Sequence, residues 1–319
     1  MSNRKIKQLN VLSVDWQVII NPNAYSGKGM KCRYDITQIL TEKKIRFQEH
    51  ISHSAIDSLS IVKKLCKNGS RYFIFLGGDG TANMIVNGIF SSGADANRVF
   101  IVPIPVGTGN DWTHTHNYPA DYHRIIDHFL KGNFALHDVG LVECYRGKNL
   151  KEARFFINIA GFGFDAAVIK KTINGKKTLL TSATYLWNLL KVLFSYKTGT
   201  VAVSSPEIHI DEAVFNVAVG ICRYNGNGMK QVPSADPFDG LFDVVLIRKI
   251  SFFKVIANVR NLFSGTHIRM REVVTFKTQS LEIHSDPYTL GEVEGEMLAE
   301  GNYKISMSAQ KLNVLMICY

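Results

Sequence analysis

The chain has 319 residues, 46% of them hydrophobic and 20% charged, with a formal net charge of +10. That length exceeds the size at which one apolar core usually stops growing, so two domains are expected, and the composition excludes a disordered chain. The basic balance suits an anionic partner, whether nucleotide phosphate, nucleic acid or an anionic membrane surface, without choosing among them.

In chain order, Val11 to Ile20 reads as a strand, Asn21 to Gly29 as a turn-rich loop and Met30 to Lys44 as a helix. Ile45 to Ile51 is a second strand, Ala55 to Lys67 a helix, and Arg71 to Leu76 a buried strand ending in Gly77-Gly78-Asp79-Gly80. A helix follows from Thr81 to Phe90, then a strand from Val99 to Pro103 and a loop from Pro105 to Asp111. This βαβα order predicts a doubly wound α/β domain over residues 1–139, with ligands at the carboxyl ends of its parallel strands. Beyond Val139 short strands dominate: Phe155 to Ile159, Thr200 to Ser204, Glu207 to Ile210, Ala213 to Cys222, Phe242 to Arg248, Val273 to Thr278, Leu281 to His284 and Leu312 to Cys318. Helical segments at Leu179 to Phe194 and Phe252 to Phe263 interrupt them. Residues 140–319 are therefore expected to form a mainly antiparallel β-sandwich.

Met1 to Gln8 is polar and basic, unlike a signal peptide. The longest apolar region, Leu179 to Tyr196, contains Thr181, Ser182, Thr184, Asn188 and Lys191, short of the ~20 apolar residues of a span. Cys32, Cys66, Cys144, Cys222 and Cys318 are widely spread and read as thiols in a reducing compartment. A cytoplasmic location with peripheral membrane contact is expected. Lys170 to Lys177, with four lysines beside the apolar stretch, is a candidate for that contact.

Two loops carry the chemistry. After Phe73-Ile74-Phe75-Leu76, the glycines Gly77, Gly78 and Gly80 let the backbone approach a phosphate, and the start of the next helix offers free N–H groups. Asp79 would repel a phosphate unless it acts through a metal ion; otherwise it is an N-cap in a tight turn. Pro105-Val106-Gly107-Thr108-Gly109-Asn110-Asp111 repeats the logic with a hydroxyl, an amide and a carboxylate. The earlier loop around Ser26-Gly27-Lys28-Gly29 lacks the first glycine and the final Ser/Thr of a Walker A loop. His114 and His116 show no third ligand at metal spacing and read as part of a solvated loop.

These loops, in this order, resemble the catalytic domain shared by diacylglycerol kinases, sphingosine kinases and bacterial lipid kinases. The likeness extends to Asn158-Ile159-Ala160-Gly161-Phe162-Gly163-Phe164-Asp165-Ala166, to Tyr224-Asn225-Gly226-Asn227-Gly228-Met229, to Pro233-Ser234-Ala235-Asp236-Pro237-Phe238-Asp239-Gly240-Leu241 and to Val293-Glu294-Gly295-Glu296. The resemblance implies an ATP-dependent lipid kinase that uses Mg²⁺. It implies nucleotide contacts at Asn21, Gly78, Gly80, Thr81, Gly107, Thr108 and Asn110, and a magnesium site at Asp236, Asp239 and the carbonyl of Leu241. Asp79, Asp111 and Asp138 would link that metal to the nucleotide through water, with Asp79 also catalytic, and Glu296 would be the general base.

The departure is Glu294, where the family usually has Asp. If this segment is extended, Glu292, Glu294 and Glu296 share one face, so depth along the strand must separate them. The partner expected is a lipid at a membrane surface. Nucleic acid is not expected, because no recognisable motif or aromatic-basic stripe is present. A homodimer is the open alternative to a monomer. Two other readings compete: a kinase for a soluble substrate such as NAD, and a noncatalytic lipid-binding module.

Overall fold

A computed structural model describes residues 5–22, 28–107, 109–174 and 191–317. The first part runs β1 (Ile6–Gln8), β2 (Asp15–Ile20), α1 (Lys28–Glu42), β3 (Arg46–Ile51), α2 (Ala55–Lys67), β4 (Tyr72–Gly77), α3 (Asp79–Phe90), β5 (Phe100–Pro105), α4 (Asp111–Thr115), α5 (Tyr122–Leu130) and β6 (Asn133–His137). β2 is parallel to β3 and β4, and β4 is parallel to β5. Along these strands alternate residues face opposite layers. Ile19, Phe73, Phe75 and Ile101 pack with Val62 of α2 and Ile85, Val86 and Ile89 of α3. Val18, Ile20, Ile74, Leu76 and Val102 pack with Ile36 and Leu40 of α1 and Ile125 and Phe129 of α5. Burial on both faces is why these strands are apolar throughout rather than alternating. The sheet is doubly wound, as expected.

The second part contributes β7 (Gly140–Arg146), β8 (Asn149–Phe156), β9 (Ile159–Gly163), α6 (Phe164–Asn174), β10 (Gly199–Ser204), β11 (His209–Gly220), β12 (Phe242–Arg248), α7 (Phe252–Ser264), β13 (Val273–Thr278), β14 (Ser280–His284), β15 (Gly291–Val293), β16 (Glu296–Met297), β17 (Asn302–Met307) and β18 (Leu312–Leu315). β7 to β17 form an antiparallel sheet. The two strands expected over 207–210 and 213–222 are one long strand, β11. A register shift between Val214 and Asn216 marks the place where β11 changes partners, from β10 to β9 along one edge. Such a bulge bends the strand and lets one sheet fold over into layers.

The last strand departs from expectation. Leu312 to Cys318 reads as part of the second domain, but β18 sits in the first sheet, parallel to β5 and antiparallel to β6. Its residues are all buried, and Asn313 donates its side-chain amide to the carbonyls of Asn97 and Val99. An apolar strand is stable in any sheet that covers both its faces, and its place in the sequence does not say which. Of the expected helix over 179–194, residues 179–190 lie outside the described residues; 191–195 are helical.

Candidate active site

The loops after β2, β4 and β5 meet at the carboxyl end of the first sheet. Gly78 caps α3 without a side-chain hydrogen bond, and a Cβ placed on Gly80 would meet nothing within 4 Å, so the first turn borders open space. A Cβ on Gly107 would lie 2.7 Å from the Gly78 Cα, so the two loops approach backbone to backbone, which only glycine permits. Asn110, at φ 55°, closes the second loop by accepting from the Gly107 N–H at 3.1 Å and donating to its carbonyl at 2.8 Å. Asn21 donates to the Thr81 hydroxyl at 3.2 Å, fixing the third loop to α3. Thr108, and residues 23–27 of the loop after β2, lie outside the described residues.

The three aspartates expected to act through water each accept direct hydrogen bonds. Asp79 accepts from the N–H groups of Asp111 and Trp112 at 3.1 and 3.0 Å, capping α4 from the neighbouring loop. Asp111 accepts from the N–H groups of Asn227 and Gly228 at 2.8 and 2.7 Å, joining the first domain to the Tyr224–Met229 loop of the second. Burial pushes its carboxyl up from the usual carboxylate range, and these two amides offset part of that rise. Asp138 accepts from Gly240 N–H at 2.8 Å and pairs with the Lys311 ammonium at 2.5 Å.

The expected magnesium ligands fit poorly. The carboxylate of Asp239 lies 2.8 Å from the Lys277 ammonium, which also pairs with Asp243 at 2.8 Å, and its other oxygen accepts from Leu241 N–H at 3.0 Å. Asp236 accepts from Phe238 N–H at 3.2 Å. A hard divalent ion needs several oxygens turned toward one point. Here the loop is held by Lys277, by Asp138 and by its own amides, so no step below is routed through an ion at this loop.

The Val293–Glu296 segment is not extended. Glu294 and Gly295 have φ of 51° and 88°, and Val293 pairs with Glu296 across a two-residue hairpin. Both central residues at positive φ define the tight turn that suits antiparallel strands. The shared-face expectation is therefore corrected: Glu292 lies on β15, Glu294 in the turn and Glu296 on β16. Glu294 accepts from the N–H groups of Ile157 and Asn158 at 2.7 and 2.6 Å, and from the Asn83 amide of α3 at 2.7 Å. Enclosure raises its carboxyl to about 7, and those three donors hold it from going higher. Glu292 is 1% exposed, and burial, with the Asp165 carboxylate nearby, raises it to about 8. Asp165 in turn accepts from Asn216 at 2.7 Å and from Gln231. Glu296 is exposed at the start of β16.

Several of these residues escape a linear reading. Asn83, Asp165, Asn216 and Gln231 surround the hairpin from four separate elements or loops. The histidines are also corrected. His114 stacks on Tyr224, with ring centroids 4.1 Å apart. His116 is buried, and its ligand nitrogen, one of His137 and the sulfur of Cys222 all lie within 4.8 Å of one another. The third member exists but comes from a strand end in the second domain. Trp112 donates its indole N–H to His137 Nε2 at 3.1 Å, and burial lowers His137 to about 4, so His137 sits neutral in a buried hydrogen-bonded cluster between the domains.

Two family models match the chain: the diacylglycerol kinase catalytic domain over residues 15–142, and the YegS C-terminal NAD kinase beta sandwich-like domain over residues 158–316. The chain is 25% identical over 283 residues to a diacylglycerol kinase of Staphylococcus carnosus, covering 88% of each chain. It is 23% identical over 281 residues to a diacylglycerol kinase of Bacillus subtilis, covering 88% of this chain and 89% of that one. In fold it is similar to a diacylglycerol kinase from Bacillus anthracis, with a TM-score of 0.70 at 16% identity over 95% of this chain and 97% of that one. A yeast NADH kinase complexed with NADH shares the fold more distantly, with a TM-score of 0.56 at 8% identity, covering 100% of this chain and 88% of that one.

Proposed function

Because the chain belongs to the family of diacylglycerol kinases and related bacterial lipid kinases, and is thus a phosphotransferase with an alcohol acceptor, we propose that it transfers the γ-phosphate of ATP to the hydroxyl of a membrane lipid. The observation that supports this reading most directly is the bond from Asn83 to Glu294. It fastens the acidic hairpin to the helix that begins at the Gly77-Gly78 loop. Glu296, two residues further on, is left exposed at the start of β16.

In this reading the backbone of Gly78, Gly80 and Thr81 and the Gly107–Asn110 loop receive the phosphates. Asp79 and Asn110 keep the two loops in register. A lipid hydroxyl holds its proton tightly at neutral pH. Glu296 accepts that proton while the hydroxyl oxygen bonds to the γ-phosphorus and the bond to the β-phosphate oxygen breaks, giving a lipid phosphate and ADP. A magnesium ion carried with ATP would neutralise charge on the phosphate oxygens. Glu294 is assigned the task of holding the hairpin in place, its carboxylate accepting from Ile157, Asn158 and Asn83.

The test is incubation with labelled ATP and Mg²⁺ against diacylglycerol, a sphingoid base, ceramide and NAD. Label in a lipid is the expected result. Label in NAD alone, or in none of the four, overturns the proposal.

A further inference from the structure

Helix α7 presents an apolar stripe to solvent. Phe253, Ile256, Ala257, Arg260 and Phe263 are exposed and recur at the spacing that places them on one helical face. Phe253 is 82% exposed and Phe263 55%. A surface helix in a globular protein normally turns its apolar stripe inward. Here Phe252 and Val255 pack inward against Phe164, Val168 and Phe215, and a second set of apolar side chains remains outside. Phe194, also 82% exposed, extends the patch: its ring lies 5.8 Å from that of Phe252, edge to face.

The charge around this patch leaves cations in excess. Lys254 and Arg271 pair with Glu272 and Arg248 pairs with Glu212, whereas the exposed Lys249, Arg260 and Arg269 belong to none of these pairs. From Lys191 to Pro206, the segment carrying Phe194, there is no acid, and Lys191 and Lys197 are present. Arg260 stands within the apolar stripe. Aromatic and aliphatic side chains among cations are what an interfacial helix uses to enter an anionic bilayer surface.

We infer that the exposed face of α7, with Phe194, is the surface by which this protein docks on anionic membranes. The inference rests on the lipid-kinase reading for its purpose and extends it by naming the surface. Its position suits that purpose. Phe164 and Val168 of α6 touch the inner side of α7, and α6 also packs on the hairpin strands β15 and β16 that carry Glu296. A lipid leaving the bilayer at α7 thus meets the acidic hairpin one helix away. The Lys170–Lys177 segment is a weaker candidate: residues 170–174 belong to helix α6 rather than to a loop, Lys170 pairs with Glu300 at 3.2 Å, and residues 175–177 lie outside the described residues.

The experiment combines Phe253→Ser, Ile256→Ser and Phe263→Ser in the full chain. Because these side chains face solvent, the fold is expected to survive. Sedimentation with vesicles of phosphatidylglycerol and phosphatidylcholine should fall by about 10-fold or more. Phosphorylation of a short-chain diacylglycerol dispersed without vesicles should stay within about 2-fold of wild type, because only docking is lost. Arg260→Glu alone should weaken vesicle binding and reduce its sensitivity to salt, and it serves as the second test if the triple variant misfolds. Vesicle binding unchanged in both variants overturns the inference. So does a wild-type dimer that the triple variant dissociates while vesicle binding persists, since the stripe would then be an interface between copies. A wild-type protein that phosphorylates no lipid in either form overturns the proposed function instead, while the vesicle arm still decides the surface.

Discussion

Asn83, on the helix that follows the Gly77-Gly78 loop, donates its side-chain amide to Glu294, 211 residues later, at 2.7 Å. The same carboxylate takes the backbone amides of Ile157 and Asn158, so one acidic side chain joins the nucleotide-side helix, the turn between β8 and β9 and the late hairpin. Removing Asn83 leaves a half-buried carboxylate short of one donor. Loss of a hydrogen bond to a charged group costs about 1.5–3 kcal/mol. Asn83→Ala should therefore lower the melting temperature and slow turnover, and Glu294→Gln, whose NH2 must face at least one of these N–H donors, should lower the melting temperature as well. Equal thermal stability of Asn83→Ala and wild type would show that the contact is dispensable.

Glu296→Gln is expected to reduce turnover ~10²–10⁴-fold, the range typical of a lost general base. Nucleotide affinity should change little, because the side chain is assigned to the lipid side. Turnover and nucleotide binding should be measured for Glu296→Gln and Glu294→Gln with the same lipid. A larger loss of turnover for Glu294→Gln would reverse the two roles, and no loss in either would remove the base from this hairpin.

Stability should fall as pH rises. Glu294 and Glu292 have folded values raised to about 7 and about 8 from an ordinary 4.5. Between 4.5 and those values the folded protein binds more protons than the unfolded chain, so the slope of unfolding free energy with pH is negative there. Their favourable contribution is complete below 4.5 and is lost as pH passes 7 and then 8. Melting temperatures from pH 5 to 9 should decline across that window, and Glu292→Gln, which cannot ionise, should flatten the decline. A profile that is equally steep in wild type and Glu292→Gln would exclude Glu292 as a cause.

Asp79 has two consequences that can be separated. Asp79→Ala removes the cap on α4, at about 1 kcal/mol, and should nearly abolish turnover. Asp79→Asn keeps an oxygen acceptor and should recover most of the stability. If turnover returns with it, Asp79 only positions the second loop; if turnover stays low, its charge is needed.

The Asp236–Leu241 loop should not depend on a divalent ion for its stability. Lys277 bridges Asp239 and Asp243, and Lys311 pairs with Asp138. Addition of Mg²⁺ or EDTA should shift the melting temperature of wild type, Asp236→Ala and Asp239→Ala alike. Lys277→Met should create a Mg²⁺-dependent rise by freeing the carboxylates, since an ion bound only to the folded state stabilises it. A wild-type shift that Asp239→Ala abolishes would place an ion in this loop after all.

The parallel sheet and its loops were legible in the sequence because their signals are local. A run such as Phe73 to Leu76 needs both faces covered, and glycines such as Gly78 and Gly107 are required wherever two backbones meet. The late hairpin was legible as a motif but not as a shape. Read as extended, its three glutamates share a face; the turn at Glu294 and Gly295 separates them, and a glutamate at φ 51° gives little local sign of a turn.

Composition and local pattern by themselves determined the α/β-then-antiparallel order, the glycine loops at strand ends and the family resemblance, because each depends on neighbours within one element. Tertiary structure alone decided which groups meet. It placed β18 in the first sheet, gathered His116, His137 and Cys222 into one buried cluster, gave Asp239 to Lys277 and Glu294 to Asn83, and left the apolar stripe of α7 outside. These outcomes depend on burial and on donor geometry between segments far apart in the chain, and the periodicity of a single segment records neither.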